Sequence, residues 1–96
     1  TEEYYMAIVN YISNYYEQVV ATEIHRQLAD RPEEPSLDFM ADVACVALNR
    51  LPPKYYRYEV DMAFYMSPNE LNEVKTKVEE AVEEAISFVI EHGRSD

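Results

Sequence analysis

Apolar side chains recur every three or four residues over three long parts of the chain, and this spacing predicts three amphipathic helices. They are predicted over about 4–29, about 37–50 and about 68–92, with a loop at 30–36 that contains Pro32 and Pro35. The apolar positions are Tyr5, Ile8, Val9, Ile12, Tyr16, Val19, Val20, Ile24 and Leu28 in the first helix; Met40, Val43, Ala44, Ala47, Leu48 and Leu51 in the second; and Leu71, Val74, Val78, Ala81, Ala85 and Phe88 in the third, widened by Val82, Ile86, Val89 and Ile90.

Local signals mark where the second and third helices begin and end. Ser36 or Asp38 can cap the second helix, and Pro52–Pro53 must end it, because a residue that precedes proline is pushed out of the helical region. Ser67-Pro68-Asn69-Glu70 has the form of a capping box with proline at the first helical position. Gly93 is the predicted C-terminal stop of the third helix.

The pattern changes after the two prolines, where the segment 51–66 is predicted to hold a turn and then an extended stretch or strand at about 57–66. A single strand cannot form a sheet, so this one either pairs with a second copy of itself or lies as an arm on the helices. The sequence thus predicts one mainly α-helical domain with three principal helices and a short extended or β segment. We expect a homodimer, because 96 residues bury only a modest core. The apolar side of the extended stretch is Tyr58, Val60, Met62, Phe64 and Met66.

The net charge of −11 narrows the classes of partner. General binding to nucleic acid or to an anionic membrane needs a broad basic face, and eight Lys and Arg against nineteen Asp and Glu do not supply one. There is no visible signal peptide and no apolar run that would span a bilayer. The lone Cys45 excludes an internal disulfide and is expected in or near the core, which favours a reducing, cytoplasmic setting.

One stretch reverses the sign of the charge. Arg50, Lys54 and Arg57 fall close together, and no acid lies between Asp42 and Glu59. The tyrosines interleaved with these cations offer flat faces for stacking, so the stretch suits a small anion with aromatic rings. The alternative is a surface turn whose tyrosines pack on the helices while its cations pair with the many acids. The interleaved tyrosines are Tyr55, Tyr56 and Tyr58.

The run from Asp42 to Tyr55, Asp-Val-Ala-Cys-Val-Ala-Leu-Asn-Arg-Leu-Pro-Pro-Lys-Tyr, resembles the signature of the late competence ComFB-like family. That signature is Asp-Val, small apolar residues, then Leu-Asn-Arg/His-Leu-Pro-Pro-Arg/Lys-Tyr. The resemblance implies a small cytoplasmic bacterial protein that dimerises, and its cyanobacterial members are implied to be receptors for cyclic di-GMP or cyclic di-AMP. Other members hold zinc with cysteines just before the motif. Here that stretch, 33–39, has no cysteine, so the zinc site is not carried over and the cyanobacterial branch is favoured.

With this resemblance we expect a cyclic dinucleotide, cyclic di-GMP first and cyclic di-AMP second, at the basic and aromatic stretch. Arginine and lysine would hold the phosphates, tyrosines would stack on the purines, and a carboxylate would accept from the guanine edge. A two-fold symmetric ligand on a dimer axis would use each basic residue twice. Arg26 and Arg31 have a simpler alternative reading as cations near a helix C-terminus. The candidates are Arg50, Lys54, Tyr55, Arg57, Tyr58 and Asp61, followed by Arg26, Arg31, Tyr56 and Glu59.

The sequence offers no set of nucleophile, base and orienting residue, so we expect no enzyme and no catalytic residues. His25, His92 and Cys45 lack the spacing of a metal motif, so we expect no metal and no cofactor. The glutamates of the third helix are expected to form a solvated face. We expect a protein partner, for which a basic regulator matches the acidic surface. The competing function is a helical protein–protein interaction module without a small-molecule ligand.

Overall fold

The structure is a computed structural model, and it describes residues 7–58, 60–61 and 66–92. It is mainly helical with three long helices, as predicted, and it also holds a small antiparallel sheet of two strands. Among the described residues, no helix combines the length and the apolar character that crossing a membrane requires. The elements in chain order are β1 (Ser13–Asn14), α1 (Tyr15–Leu28), α2 (Leu37–Asn49), β2 (Tyr55–Tyr56) and α3 (Pro68–His92).

The core lies where α3 packs against both α1 and α2, which also pack on each other. Most of the predicted apolar spacing is confirmed by burial. Leu71, Phe88 and Ile90 of α3 are exceptions, at 45, 41 and 56% exposure, because the apolar stripe of α3 is wider than the surface that the two other helices cover. Ile8, Val9 and Ile12, which were predicted on the apolar face of the first helix, are also exposed, at 58, 64 and 39%. The buried apolar residues are Tyr16, Val20, Ile24 and Leu28 of α1, Val43 and Ala47 of α2, Val74, Val78, Ala81, Val82, Ala85, Ile86 and Val89 of α3, and the connecting residues Leu51 and Met66.

The predicted caps hold the starts of α2 and α3. The Ser36 hydroxyl accepts the Phe39 N–H at 3.0 Å, and the Ser67 hydroxyl accepts the Glu70 N–H at 3.2 Å. Each bond satisfies an N–H that has no partner within its helix. The described part of α3 ends at His92, and Gly93 lies outside the described residues.

The predicted continuous helix over 4–29 is wrong, because α1 begins at Tyr15. Residues 7–10 form a separate helical segment, and a turn follows at Tyr11. The break is made by Asn14, whose Oδ1 accepts the N–H of Tyr16 at 3.2 Å and the N–H of Lys54 at 3.0 Å. The Tyr15 N–H donates to the Lys54 carbonyl at 2.7 Å. The backbone here is therefore bonded to the chain after the two prolines instead of continuing a helix. Tyr5, where the helix was predicted to start its apolar face, lies outside the described residues.

The predicted strand at about 57–66 is also wrong over its described part. The strand is Tyr55–Tyr56, and it pairs antiparallel with β1 of the same chain, not with a second copy and not as an arm on the helices. The chain bends at 57–58 and is helical at 60–61, because the N–H of Asp61 donates to the Tyr58 carbonyl at 2.9 Å and its carboxylate accepts the Tyr58 N–H at 3.3 Å. Met62 and Phe64 lie outside the described residues.

Candidate functional site

Arg57 lies over two exposed tyrosine rings, one from its neighbour Tyr58 and one from Tyr11 in the segment before β1. Its guanidinium carbon is 5.0 Å from the ring centre of Tyr58 and 5.6 Å from that of Tyr11. Both distances are within the range of cation–π attraction, and the two rings are 56 and 64% exposed. The sequence did not predict Tyr11, because its place beside Arg57 depends on the pairing of β1 with β2. We call Tyr11, Arg57 and Tyr58 the aromatic clamp.

The residues just before the clamp are fixed through their backbone. Lys54 is bonded on both sides of its peptide unit, by Asn14 at its N–H and by Tyr15 at its carbonyl. Tyr55 is 62% exposed while Tyr56 is half-buried, because neighbouring residues of a strand point to opposite sides. Of the two, Tyr55 is therefore the one whose ring is open to a ligand.

Asp61 lies beside the clamp, and its carboxylate is already in use. One of its oxygens accepts the N–H of Tyr58 at 3.3 Å and so closes the turn that carries this tyrosine. The other oxygen keeps its capacity to accept from a ligand edge. Glu59, the second predicted carboxylate, lies outside the described residues.

Arg50 is placed in different surroundings from Arg57. It caps the C-terminus of α2, which packs on α3, and its Nη1 bonds the Glu84 carboxylate at 3.0 Å. Its guanidinium carbon is 5.6 Å from the ring centre of Phe88, which itself stacks on His92 at 4.5 Å. Arg50 thus lines an open cleft of about 420 Å³ whose other charged residues are glutamates, a setting that disfavours a further anion. The glutamates of this cleft are Glu80, Glu83, Glu84 and Glu91.

Arg31 lies in the loop after α1 and is exposed. It lines a cleft of about 520 Å³ between this loop and the ends of α2 and α3, together with Phe39 and Ile90. Glu33 and Glu34 line the same cleft, so its charge is mixed. None of the contacts described for Arg31 joins it to the aromatic clamp.

Arg26 is held by a carboxylate on its own helix. Its Nε and Nη2 donate to the two oxygens of Glu23 at 2.9 and 2.6 Å. Gln27 donates to the same carboxylate at 2.7 Å and to the backbone carbonyl of Glu79 on α3 at 3.1 Å. Glu23, which is 9% exposed, is the buried charged residue of the described chain, and its network joins α1 to α3. This structural role leaves Arg26 poorly placed to bind a phosphate.

The network predicts a dependence of stability on pH. The hydrogen bond from Arg26 lowers the pKa of Glu23 against the opposing effect of burial, and Gln27 and the charges of Arg26 and Lys75 lower it further. A carboxyl whose folded pKa lies below its unfolded value, about 4.3, stabilises the fold above that pH. This contribution is lost as the pH falls through the folded pKa.

We therefore expect Glu23→Gln to reduce the free energy of unfolding by about 1 kcal/mol at pH 7, a modest value because the side chain of Arg26 is 64% exposed. Urea unfolding should show the difference from wild type shrinking as the pH falls toward 3. The control is Glu84→Gln, which removes a carboxylate that is 65% exposed and also paired with an arginine. A deficit in Glu23→Gln that stayed constant between pH 7 and pH 3 would contradict the role of this carboxylate.

The described ranges, 7–58, 60–61 and 66–92, include the residues considered for metal or thiol chemistry, His25, His92 and Cys45. In these ranges no group of three or more His, Cys, Asp and Glu is close enough to hold a metal ion. Cys45 was expected in or near the core, and this is wrong, since its thiol is exposed. It lies between Val43 and Ala47, whose side chains face the core, and so projects away from it.

Comparison with known proteins gives one family. The family model of the late competence development protein ComFB matches residues 13–93, which is most of the chain. The match begins at β1 and includes Asn14, Arg57 and Tyr58, while Tyr11 precedes it. A search of curated proteins finds none that matches this chain.

Proposed function

The chain belongs to the family of the late competence development protein ComFB, and on this premise we propose that it is a non-enzymatic, cytoplasmic receptor for a cyclic dinucleotide. Cyclic di-GMP is the first candidate and cyclic di-AMP the second. The observation that carries the proposal is the aromatic clamp, in which Arg57 lies over the exposed rings of Tyr11 and Tyr58. The resemblance of the segment 42–55 to the family signature, together with the lack of cysteine at 33–39 that favours the cyanobacterial branch, supports the choice of ligand class.

The clamp has the chemistry that a cyclic dinucleotide needs. A cation–π contact does not use the N–H donors of a guanidinium as hydrogen-bond donors, so those of Arg57 remain able to donate to a phosphate. The ion pairs identified among the described residues involve Arg26 and Arg50, and neither Arg57 nor Lys54. Exposed tyrosine rings supply surfaces on which a purine stacks, and Asp61 supplies an acceptor for the guanine edge.

The overall charge of the chain makes these local cations decisive. A ligand with two phosphates is repelled by a protein of net charge −11, so it is retained only where cations are concentrated. In the homodimer that we expect, a two-fold symmetric ligand on the axis would meet two copies of Arg57 and Lys54. We further propose that the bound state changes the affinity for a basic protein partner, which requires the ligand to make different contacts in two states of the protein.

The experiment that tests the proposal is calorimetric titration of the whole chain with cyclic di-GMP and cyclic di-AMP, with a linear dinucleotide as the matched control. We expect binding in the micromolar range or tighter for one cyclic species, at one ligand per chain or one per dimer. The linear dinucleotide should bind more weakly, because it loses more conformational freedom on binding. Absence of heat from every ligand, confirmed by equilibrium dialysis, would remove the receptor function.

The second candidate is a helical interaction module without a ligand, and one observation favours it. Exposed large apolar side chains are concentrated in the two segments 8–12 and 55–60, which the β1–β2 pairing brings together. Such a concentration marks an association surface, for a second copy or for another protein. Titrations without binding, together with loss of self-association in a Val9→Ser, Val60→Ser variant measured by sedimentation, would favour this function. The exposed residues are Ile8, Val9, Tyr11, Ile12, Tyr55, Tyr58 and Val60.

A further inference from the structure

Tyr11 is brought to the site by the register of the two-stranded sheet. In the antiparallel pairing Ser13 lies opposite Tyr56 and Asn14 opposite Tyr55. Tyr11 precedes β1 by two residues and Tyr58 follows β2 by two residues, and the ring centre of each lies within 5.6 Å of the same guanidinium carbon. The two rings therefore flank one cation from two segments of the chain that are distant in sequence.

The register itself depends on Asn14. The sheet has only two residues in each strand, which is too short to be stable by itself. Asn14 Oδ1 joins the two segments by accepting the N–H of Lys54 while it caps α1 through the N–H of Tyr16. One half-buried side chain thus fixes both the start of α1 and the first residue after the two prolines.

We infer that Tyr11 is a base-stacking residue of the binding site and that Asn14 is the positioning residue that holds it there. The assignment rests on the proposed function and extends the site to the segment before α1. The probe is cyclic di-GMP, one purine of which stacks on the Tyr11 ring while Arg57 binds a phosphate. Tyr58 supplies the second stacking face. The site thus has two walls, one on the segment that precedes β1 and one on the segment that follows β2.

The test of Tyr11 compares Tyr11→Leu with Tyr11→Phe in the whole chain. Leucine keeps apolar bulk but lacks a ring face. We therefore expect the dissociation constant of Tyr11→Leu for cyclic di-GMP to be on the order of tenfold higher than that of wild type. Phenylalanine keeps the ring face and lacks only the hydroxyl, so Tyr11→Phe should bind cyclic di-GMP with an affinity close to that of wild type. Thermal unfolding should be alike in the two variants, because Tyr11 is 64% exposed. Binding by Tyr11→Leu as tight as wild type would overturn the assignment.

The test of Asn14 compares Asn14→Ala with Asn14→Asp. Aspartate keeps an oxygen that can accept from Lys54 and Tyr16 and is as good a helix cap, so it should restore the binding that alanine loses. Equal affinities of wild type and folded Asn14→Ala would overturn the positioning role. If Asn14→Ala fails to fold, Asn14→Ser takes its place in the comparison with wild type and Asn14→Asp. Serine keeps the helix cap, but its shorter side chain reaches less far toward Lys54.

The outcomes separate this inference from the proposed function. If wild type binds cyclic di-GMP and Tyr11→Leu binds equally well, the receptor function stands and the assignment of Tyr11 fails. If wild type itself binds no cyclic dinucleotide, the receptor function fails and the assignment fails with it. Weak binding by Tyr11→Leu, restored in Tyr11→Phe, supports both.

Discussion

Replacing Ile86 with alanine should lower the free energy of unfolding by about 2–4 kcal/mol, whereas the same replacement at Ile90 should change it by less than about 1 kcal/mol. Both residues lie on α3, one helical turn apart, and differ in burial at 5 against 56% exposure. Ile86 belongs to the core that α3 forms with α1 and α2, so its truncation removes apolar contacts and leaves a cavity. Ile90 is largely in water, so its truncation removes little.

Urea denaturation followed by circular dichroism measures both variants against wild type. In a domain of this size a loss of 1 kcal/mol in the free energy of unfolding corresponds to a fall of about 4–8 °C in melting temperature. A difference of this size between Ile86→Ala and Ile90→Ala is clearly resolved. The pair is matched in chemistry and in helix propensity, so only burial differs. Equal destabilisation of the two variants would mean that Ile90 is covered, as it would be by a second copy of the chain at this end of α3.

The helices could be predicted from the sequence because their signals are local. The spacing of Val74, Val78 and Val82 sets the buried face of α3, and all three are at most 6% exposed. The caps of α2 and α3 are made by hydroxyls three residues from the N–H that they accept. Each of these features is decided within a few residues of the chain, where a pattern is sufficient.

The break before α1 could not be predicted in the same way, because it depends on a bond between Asn14 and Lys54, which are 40 residues apart. The helical periodicity runs through Ile8, Ile12 and Tyr16 without proline or glycine, so the pattern alone favours one helix. A weaker signal was present, since Asn14 is followed three residues later by Glu17, as at many helix starts.

The candidate site was predicted as one stretch, and the structure divides that stretch in two. The two prolines end α2, so Arg50 stays with the helix and meets Glu84, while Arg57 turns toward the segment before β1. Closeness in sequence across a proline turn therefore did not imply a shared site. Tyr11 was missed for the converse reason, since it is distant in sequence and near in space.

This division makes Arg57→Ala the most informative single change for function. We expect it to raise the dissociation constant for cyclic di-GMP by about 10–100-fold, because charged hydrogen bonds are worth about 1.5–3 kcal/mol and each 1.4 kcal/mol is a factor of ten. Arg50→Ala should cost less, because its guanidinium is already bonded to Glu84 in an acidic cleft. Stability should change little in Arg57→Ala, because the side chain is exposed.

The control for charge alone is Lys77→Ala, which removes one exposed cation from α3 and leaves the clamp intact. Calorimetry of Arg57→Ala, Arg50→Ala and Lys77→Ala in low and in moderate salt separates general electrostatic attraction from a direct bond to the phosphate. Salt screens the general attraction strongly, whereas it screens a directly bonded phosphate less. Arg57→Lys keeps the charge but loses the planar, two-pronged geometry, so it should recover only part of the affinity. If Arg50→Ala proved the more damaging change, the ligand would belong at the α2–α3 cleft, and the local glutamates would have to be offset by a partner or by the second copy of the chain.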